Sequence, residues 1–192
     1  MSLRSMKKTA RILCSLFTVF LFAAGNLHAQ EVEKEKIPEE HLSQSLKNLP
    51  WGAQIWDVEE AVEQLKSDEK VLWIDTRPQS FFDMGTVSGA ILLPYNQSGK
   101  QGNDMTAETL AAAVAEAGLD KETAKIILFC QGPKCHRSYN ASYIAITEWG
   151  YNPANIVWFR AGYPQLFQEV QNNPKLKRKA NKYISEAGVK QL

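Results

Sequence analysis

Short apolar runs alternate with longer amphipathic segments along residues 51–172. Four such runs, each of four or five residues and rich in β-branched or aromatic side chains, lie at residues 71–74, 90–93, 125–129 and 156–159. Runs of this length and composition are typical of buried strands. The pattern therefore predicts strands at these four positions.

Helical periodicity fills the intervals between the runs. Asp57 is placed to cap a helix with apolar residues at 58, 61, 62 and 65, and Glu60 stands at the capping-box position. Thr106 precedes a strong helix-forming segment that Gly118 would close. Further helical patterns cover residues 141–149 and 163–170, and Pro78 suits the first turn of another helix. Strands that alternate with helices predict an α/β fold, a parallel sheet with helices on both faces.

The first 29 residues have the layout of a secretory signal peptide. Basic residues precede a 13-residue apolar run at 12–24, and small residues follow it up to Ala29. The run is shorter than the roughly 20 residues that a membrane span needs. We therefore expect cleavage after Ala29, an exported protein in the periplasm or secreted, and no stable membrane span afterwards.

The rest of the chain divides into three parts by composition. Residues 30–50 open with a charged stretch and are interpreted as a flexible leader. Residues 51–172 carry the alternating pattern and form the predicted domain. Residues 173–192 form a basic tail, interpreted as a solvated surface or a final helix.

Charge and cysteine content narrow the function. The chain has 192 residues with 22 Lys and Arg against 21 Asp and Glu, and loss of residues 1–29 leaves a net charge of −3. This balance gives no reason to expect a nucleic-acid partner. Of the three cysteines, Cys14 lies in the predicted signal peptide, so the mature chain keeps Cys130 and Cys135.

Cys130 is the strongest candidate for a reactive group. It directly follows the predicted strand at 125–129, and functional groups of open α/β sheets gather where strands end and helices begin. The next helix points its positive end at the same loop, which favours a thiolate or a bound anion. Such surroundings lower the pKa of a thiol from about 8.5. The predicted loop and anion-stabilising residues are Gln131, Gly132, Lys134, Cys135, His136, Arg137 and Ser138.

An ordered set of short motifs resembles the rhodanese domain family over residues 52–170. In chain order these motifs are IDTRP at 74–78, GTVSGAI at 85–91, FC at 129–130, GY at 150–151 and RAG at 160–162. The resemblance implies a single rhodanese-like domain with a five-stranded parallel sheet. It also implies a persulfide-carrying cysteine at Cys130, and a supporting role for Asp75 and Arg77. Arg77 would support the loop or an anionic substrate, or form a structural ion pair with Asp75.

The resemblance further implies a sulfurtransferase. Cys130 would take the outer sulfur of thiosulfate or a similar small anion and pass it to cyanide, a thiol or a partner thiol protein. No metal or organic cofactor would be needed.

The loop departs from the usual family pattern. Cys135 stands where an arginine usually follows, and Arg137 and Ser138 come two residues later. The loop resembles a Cys-x-Gly-Pro-x-Cys variant found in exported rhodanese-like proteins.

Cys135 leaves three alternatives to the simple sulfur carrier open. The two thiols would form a dithiol redox couple in which Cys130 attacks and Cys135 resolves, or a static disulfide. Alternatively, the domain would be a non-catalytic binding module, because a fold does not guarantee a chemistry. A metal site is disfavoured by the Cys-x4-Cys spacing.

Overall fold

The computed structural model describes residues 36–96 and 103–186. The predicted signal peptide and the first part of the leader lie outside the described residues. Seven strands, β1 to β7, are formed by Gln54–Trp56, Leu72–Asp75, Gly85–Val87, Ile91–Leu92, Ile126–Phe129, Ile156–Phe159 and Ile184–Glu186. Six helices, α1 to α6, are formed by Val58–Lys66, Gln79–Phe82, Ala107–Glu116, His136–Thr147, Gly162–Asn172 and Pro174–Lys177. Short 3₁₀ turns occur at Glu39–Leu42, Pro153–Asn155 and Ala180–Lys182.

The main sheet has five parallel strands in the order β1-β6-β5-β2-β4. This confirms the predicted α/β fold with a five-stranded parallel sheet. Strand β5 is central, and the register places its last residue, Phe129, beside Asp75 of β2 and Phe159 of β6. The residues that follow these strands therefore meet at one edge of the sheet.

Alternate side chains of the strands serve two separate hydrophobic cores. In β5, Ile126 and Leu128 face the core shared with α3 and α4, whereas Ile127 and Phe129 face the core shared with α1 and α5. This two-residue period follows from the strand pleat, and burial on both faces explains why the runs are almost wholly apolar.

Helix capping follows the sequence predictions. The Asp57 N–H donates to the Glu60 carboxylate at 3.0 Å, so the predicted capping-box contact begins α1. Thr106 and Thr109 exchange two hydrogen bonds at the start of α3. Gly118 follows α3 at φ +63°, a left-handed conformation that favours glycine.

The predicted flexible leader requires a correction within the described residues. Leu49 is buried, and Ile37, Leu42 and Leu46 pack against the core on the α3 and α4 side. Leu42, Leu46 and Leu49 have the i, i+4, i+7 spacing of a helix face, which the charged composition of the segment obscures, and the structure forms a short 3₁₀ turn there, at Glu39–Leu42. We call residues 37–49 the N-terminal strap.

The basic tail is also part of the packed structure as far as residue 186. Strand β7 pairs antiparallel with β3, which places Val87 opposite Ile184. Leu176, Tyr183 and Ile184 are buried in the core on the α1 and α5 side. The interpretation as a solvated surface or final helix is therefore incomplete, because a short strand and three buried apolar residues lie among the lysines. No helix within the described ranges is both long and apolar enough to cross a membrane.

Candidate active site

Cys130 lies at the carboxyl edge of the sheet, directly after central strand β5. It is 1% exposed, and its carbonyl accepts a hydrogen bond from the Tyr163 N–H at 3.0 Å. The position agrees with the sequence prediction for a strand-end cysteine. The hydrogen bond from Tyr163 joins the Cys130 backbone to the first turn of α5.

The loop after Cys130 is closed by a disulfide to Cys135, with the two Cα atoms 6.1 Å apart. Gly132 has φ +146°, and its carbonyl accepts from the Cys135 N–H at 2.9 Å. Glycine is favoured at this φ because it carries no Cβ. The turn returns the chain to Cys135, the residue immediately before α4.

Gly162 forms the wall on the β6 side of the loop. Its φ is +69°, and a Cβ at this position would lie 2.5 Å from the Cys130 carbonyl oxygen and 2.7 Å from the Gly132 nitrogen. Both contacts are to backbone atoms, which cannot swing aside as a flexible side chain does. Only glycine therefore fits here without moving the cysteine loop. The glycine turn is visible in the sequence, but its contact with the loop is not.

A buried ion pair forms the wall on the β2 side. Asp75 is 0% exposed and Arg77 is 2% exposed. The Arg77 Nε and Nη2 atoms donate to the two Asp75 carboxylate oxygens at 2.6–3.1 Å. The Asp75 carboxylate also accepts from the Thr86 hydroxyl at 2.7 Å. A buried pair with these additional hydrogen bonds can offset its own desolvation cost.

Arg77 also connects this ion pair to the cysteine loop. Its Nη1 atom donates to the Gln131 side-chain oxygen at 3.0 Å, and Nη2 donates to the Gly85 carbonyl at 2.6 Å. The guanidinium carbon lies 4.7 Å from the centroid of the Tyr163 ring. The structure therefore places Arg77 in the predicted ion pair and in contact with the loop at once.

Thr76 is a site residue that sequence reasoning missed. Its N–H and its hydroxyl both donate to the Phe129 carbonyl, at 3.0 and 2.8 Å. The carbonyl of the residue before Cys130 is thereby fixed. A threonine between an aspartate and an arginine carries no pattern that would reveal this contact.

The basic residues of the loop lie around the start of α4. Lys134 is exposed, whereas His136 and Arg137 are half-buried in the first helical turn, which also contains buried Ser138. The Arg137 Nη1 atom donates to the Tyr95 carbonyl at 2.8 Å. Burial, with a smaller effect from a nearby glutamate, raises the pKa of the Tyr95 phenol to about 12. Lys134, His136 and Arg137 therefore lie next to the start of α4, and their role in stabilising an anion stays a prediction.

A second Arg–Asp pair lies at the carboxyl edge of the sheet, after strands β1 and β6. Arg160 is buried and binds the Asp57 carboxylate through Nε and Nη2. Its Nη1 atom donates to the Ser43 carbonyl of the N-terminal strap at 2.6 Å. Nothing in the local sequence indicates these contacts, because their partners are separated by more than 100 positions.

The N-terminal strap also contacts the helix that begins at the loop. His41 Nδ1 lies 2.7 Å from the hydroxyl oxygen of Tyr139, in the second turn of α4. Burial lowers the pKa of His41, although the charge of Glu40 opposes the shift. Burial also raises the pKa of Tyr139. Neither residue is a predicted site residue, and His41 by itself suggests no function in the sequence.

The geometry brings together most of the predicted site residues. Cys130, Gln131 and Cys135 form one closed loop, and Asp75 and Arg77 support it from β2. Their proposed chemical roles stay predictions. Among the described residues, no group of three or more His, Cys, Asp or Glu side chains is placed to hold a metal ion.

Comparison with protein families now identifies the fold. Residues 57–169 match the family model described as the rhodanese-like domain. The chain belongs to the rhodanese-like family. The matched segment runs from the cap of α1 into α5, so this rhodanese-like domain includes the cysteine loop and both of its walls. Members of the family commonly perform sulfur transfer or related cysteine-based chemistry, which supports an activity of that general kind.

Three solved structures are similar to this rhodanese-like chain at low sequence identity. The BH2092 protein from Bacillus halodurans is 21% identical, with 59% of this chain and 71% of that chain covered and a TM-score of 0.46. The As-Sb reductase from Leishmania major is 20% identical, with 62% and 80% covered and a TM-score of 0.46. The rhodanese-like domain of the Alr3790 protein from Anabaena is 16% identical, with 59% and 72% covered and a TM-score of 0.41. No curated protein matches the chain in sequence.

Proposed function

We propose that the protein is a rhodanese-type sulfurtransferase that carries sulfane sulfur on Cys130. The observation that carries the proposal is the position of Cys130 at the end of central strand β5, with its backbone held by Tyr163 and Gly162. The adjacent α4 terminus is a favourable environment for an anion. The substrate class is thiosulfate or a similar sulfane-sulfur anion, and the acceptor is a thiol or cyanide.

The first half-reaction is a displacement at sulfur. The Cys130 thiolate attacks the outer sulfur of thiosulfate, and a new bond forms between Sγ and that sulfur. The sulfur–sulfur bond of thiosulfate breaks, and sulfite leaves with the electron pair. Preorganised backbone N–H groups and the helix terminus would stabilise the negative charge that moves through the loop. In the second half-reaction the acceptor takes the outer sulfur and restores the thiolate.

The disulfide sets a condition on this activity. Cys130 is bonded to Cys135 in the structure and has no thiolate in that state. We therefore expect transfer from thiosulfate to cyanide only after the protein has been reduced. Oxidised protein incubated with thiosulfate is expected to gain no sulfur.

The test compares two cysteine variants under reducing preparation and oxygen-free assay. Cys130→Ser is expected to abolish sulfite release from thiosulfate, whereas Cys135→Ser is expected to release sulfite and gain the mass of one sulfur atom. Cyanide should remove that added mass. Full sulfur transfer by Cys130→Ser would show that the assignment of Cys130 is wrong. Cys135→Ser is the matched control, because it removes the same disulfide and keeps the proposed nucleophile.

The disulfide also favours a second candidate, a dithiol redox protein. Two thiols that close a six-residue loop can exchange a disulfide with a partner dithiol. This candidate predicts that the protein oxidises or reduces a partner disulfide with no sulfane donor present, and that sulfur is never added to Cys130. A binding module would show neither sulfur transfer nor disulfide exchange.

We also propose that the protein works outside the cytoplasm, in the periplasm or after secretion. The proposal rests on the signal-peptide pattern of residues 1–29, and a disulfide suits an oxidising compartment. The mass of the protein recovered from its native compartment is expected to correspond to a chain that begins at Gln30. Recovery of the full-length chain from the cytoplasm would contradict this location.

A further inference from the structure

We infer that Cys135 resolves the persulfide on Cys130, which releases hydrosulfide and closes the disulfide seen in the structure. The inference rests on the proposed persulfide chemistry of Cys130 and names the fate of the sulfur. It makes the acceptor of the second half-reaction a residue of the chain itself. A partner dithiol must then reduce the disulfide to complete the cycle.

Cys135 lies within reach of Cys130. The disulfide shows that Cys135 Sγ can approach Cys130 Sγ to bonding distance within the folded domain. The loop ends are fixed independently, since Cys130 continues from β5 and Cys135 leads directly into α4. A hydrogen bond from the Cys135 N–H to the Gly132 carbonyl closes the turn between these ends. Opening the disulfide therefore leaves the second thiol beside the first.

The surroundings of Cys135 favour a reactive thiolate. Cys135 occupies the N-cap position of the 12-residue helix α4, where N–H groups without a partner inside the helix and the helix dipole favour a negative charge. Lys134, His136 and Arg137 surround it in sequence and are all exposed or half-exposed. A thiolate at this position is the attacking species that thiol–disulfide exchange requires.

The resolving step balances in atoms and electrons. The Cys135 thiolate attacks Cys130 Sγ, the inner sulfur of the persulfide. The persulfide reacts in its protonated form, –SSH: the bond between Sγ and the outer sulfur breaks, and the outer sulfur leaves with the electron pair and that proton as hydrosulfide. The two cysteine sulfurs are then joined, and the sulfane sulfur has been reduced at the expense of the two thiols. A neighbouring thiol held in position competes well with thiols in solution.

A partner dithiol must then reopen the disulfide. Cys130 is 1% exposed, whereas Cys135 is only partly buried, so Cys135 is the expected point of attack for an external thiolate. Attack there forms a mixed disulfide on Cys135 and frees the Cys130 thiolate. The second thiol of the partner then releases Cys135. Over one cycle, thiosulfate and a dithiol become sulfite, hydrogen sulfide and the oxidised partner.

The experiment is a single turnover of reduced, desalted protein without oxygen, with thiosulfate and, in parallel, an organic thiosulfonate as donor. Wild-type protein is expected to release one hydrosulfide for each sulfite or sulfinate, and to lose the mass of two hydrogens. Cys135→Ser is expected to release the same sulfite or sulfinate and no hydrosulfide, and to keep one added sulfur. A sample without donor controls for oxidation by residual oxygen.

Two results distinguish the resolving role of Cys135 from the sulfurtransferase proposal. If the wild-type protein keeps the added sulfur and releases no hydrosulfide, Cys135 is not a resolving thiol, although the sulfurtransferase proposal stands. If neither protein releases sulfite or sulfinate from either donor, the sulfurtransferase proposal fails, and the inference fails with it.

Discussion

Replacing Gly162 with alanine should displace the cysteine loop and impair sulfur transfer. The new Cβ would lie 2.5 Å from the Cys130 carbonyl oxygen. Ordinary contact requires roughly 3.5 Å, so the loop or the β6–α5 turn must move by about 1 Å. A shift of this size at a reacting group can reduce the rate by about 100-fold.

The cost to stability can be divided into two parts. A left-handed backbone at a non-glycine residue costs roughly 1–2 kcal/mol. Overpacking against fixed backbone atoms adds about 1–3 kcal/mol. Gly150 supplies the matched control, because it has φ +72° with no atom within 4 Å of a built Cβ. Gly150→Ala should therefore show the conformational cost alone.

The assays are urea unfolding under reducing conditions and the rate of sulfite release from thiosulfate in the presence of a reducing dithiol. Gly162→Ala should be the less stable variant by about 1–3 kcal/mol, the overpacking contribution. It should also be the one that loses activity. If the two variants are equally stable and equally active, the steric contact between Gly162 and the loop has no energetic consequence, and the reasoning is refuted.

Two further predictions concern Arg77 and His41. Arg77→Met should destabilise the fold by about 3–5 kcal/mol because it leaves the Asp75 carboxylate buried and unpaired, and urea unfolding measures the loss. Lys66→Met, which removes an exposed ion pair, should leave the urea midpoint nearly unchanged; equal losses would contradict the argument. The third prediction follows from the lowered pKa of His41. His41 binds a proton more readily in the unfolded chain than in the folded chain. The stability that neutral His41 contributes to the fold is therefore fully present above the ordinary pKa of about 6.5, and it is lost as pH falls through the folded pKa. The urea midpoint should drop less between about pH 8 and about pH 5 in His41→Gln than in the wild type, and identical drops would exclude His41 as the cause.

The four apolar runs of the sequence contain β2, β4, β5 and β6, whereas the three-residue strands β1, β3 and β7 are not predicted. The apolar runs that contain β2, β5 and β6 stand out because both faces of each strand need apolar side chains. Strand β1 has only three residues, of which Ile55 alone is buried, so its pattern cannot be distinguished from a loop. Short strands such as β3 and β7 are equally hidden, since their partners lie far apart in sequence.

The same limit applies to the candidate site. The position of Cys130 follows from local sequence, because a strand end and a helix start flank it directly. The contacts that hold the loop join residues that follow β2, β5 and β6. They are made by Thr76, Gly162 and the Arg77 guanidinium. Those contacts depend on the order of strands in the sheet, which spacing along the chain does not specify. The bond between Cys130 and Cys135 was one of several alternatives in the sequence, and the structure adopts it.

The pairing of β3 with β7 has a consequence for how the chain folds. Val87 pairs with Ile184, 97 positions further along the chain. Contacts between such distant residues carry a large loop-closure cost and generally form late. During synthesis, strand β3 must wait, without its partner, until the last described residues have been made. Completion of the domain therefore depends on the arrival of residues 184–186, after every strand of the main sheet is already available.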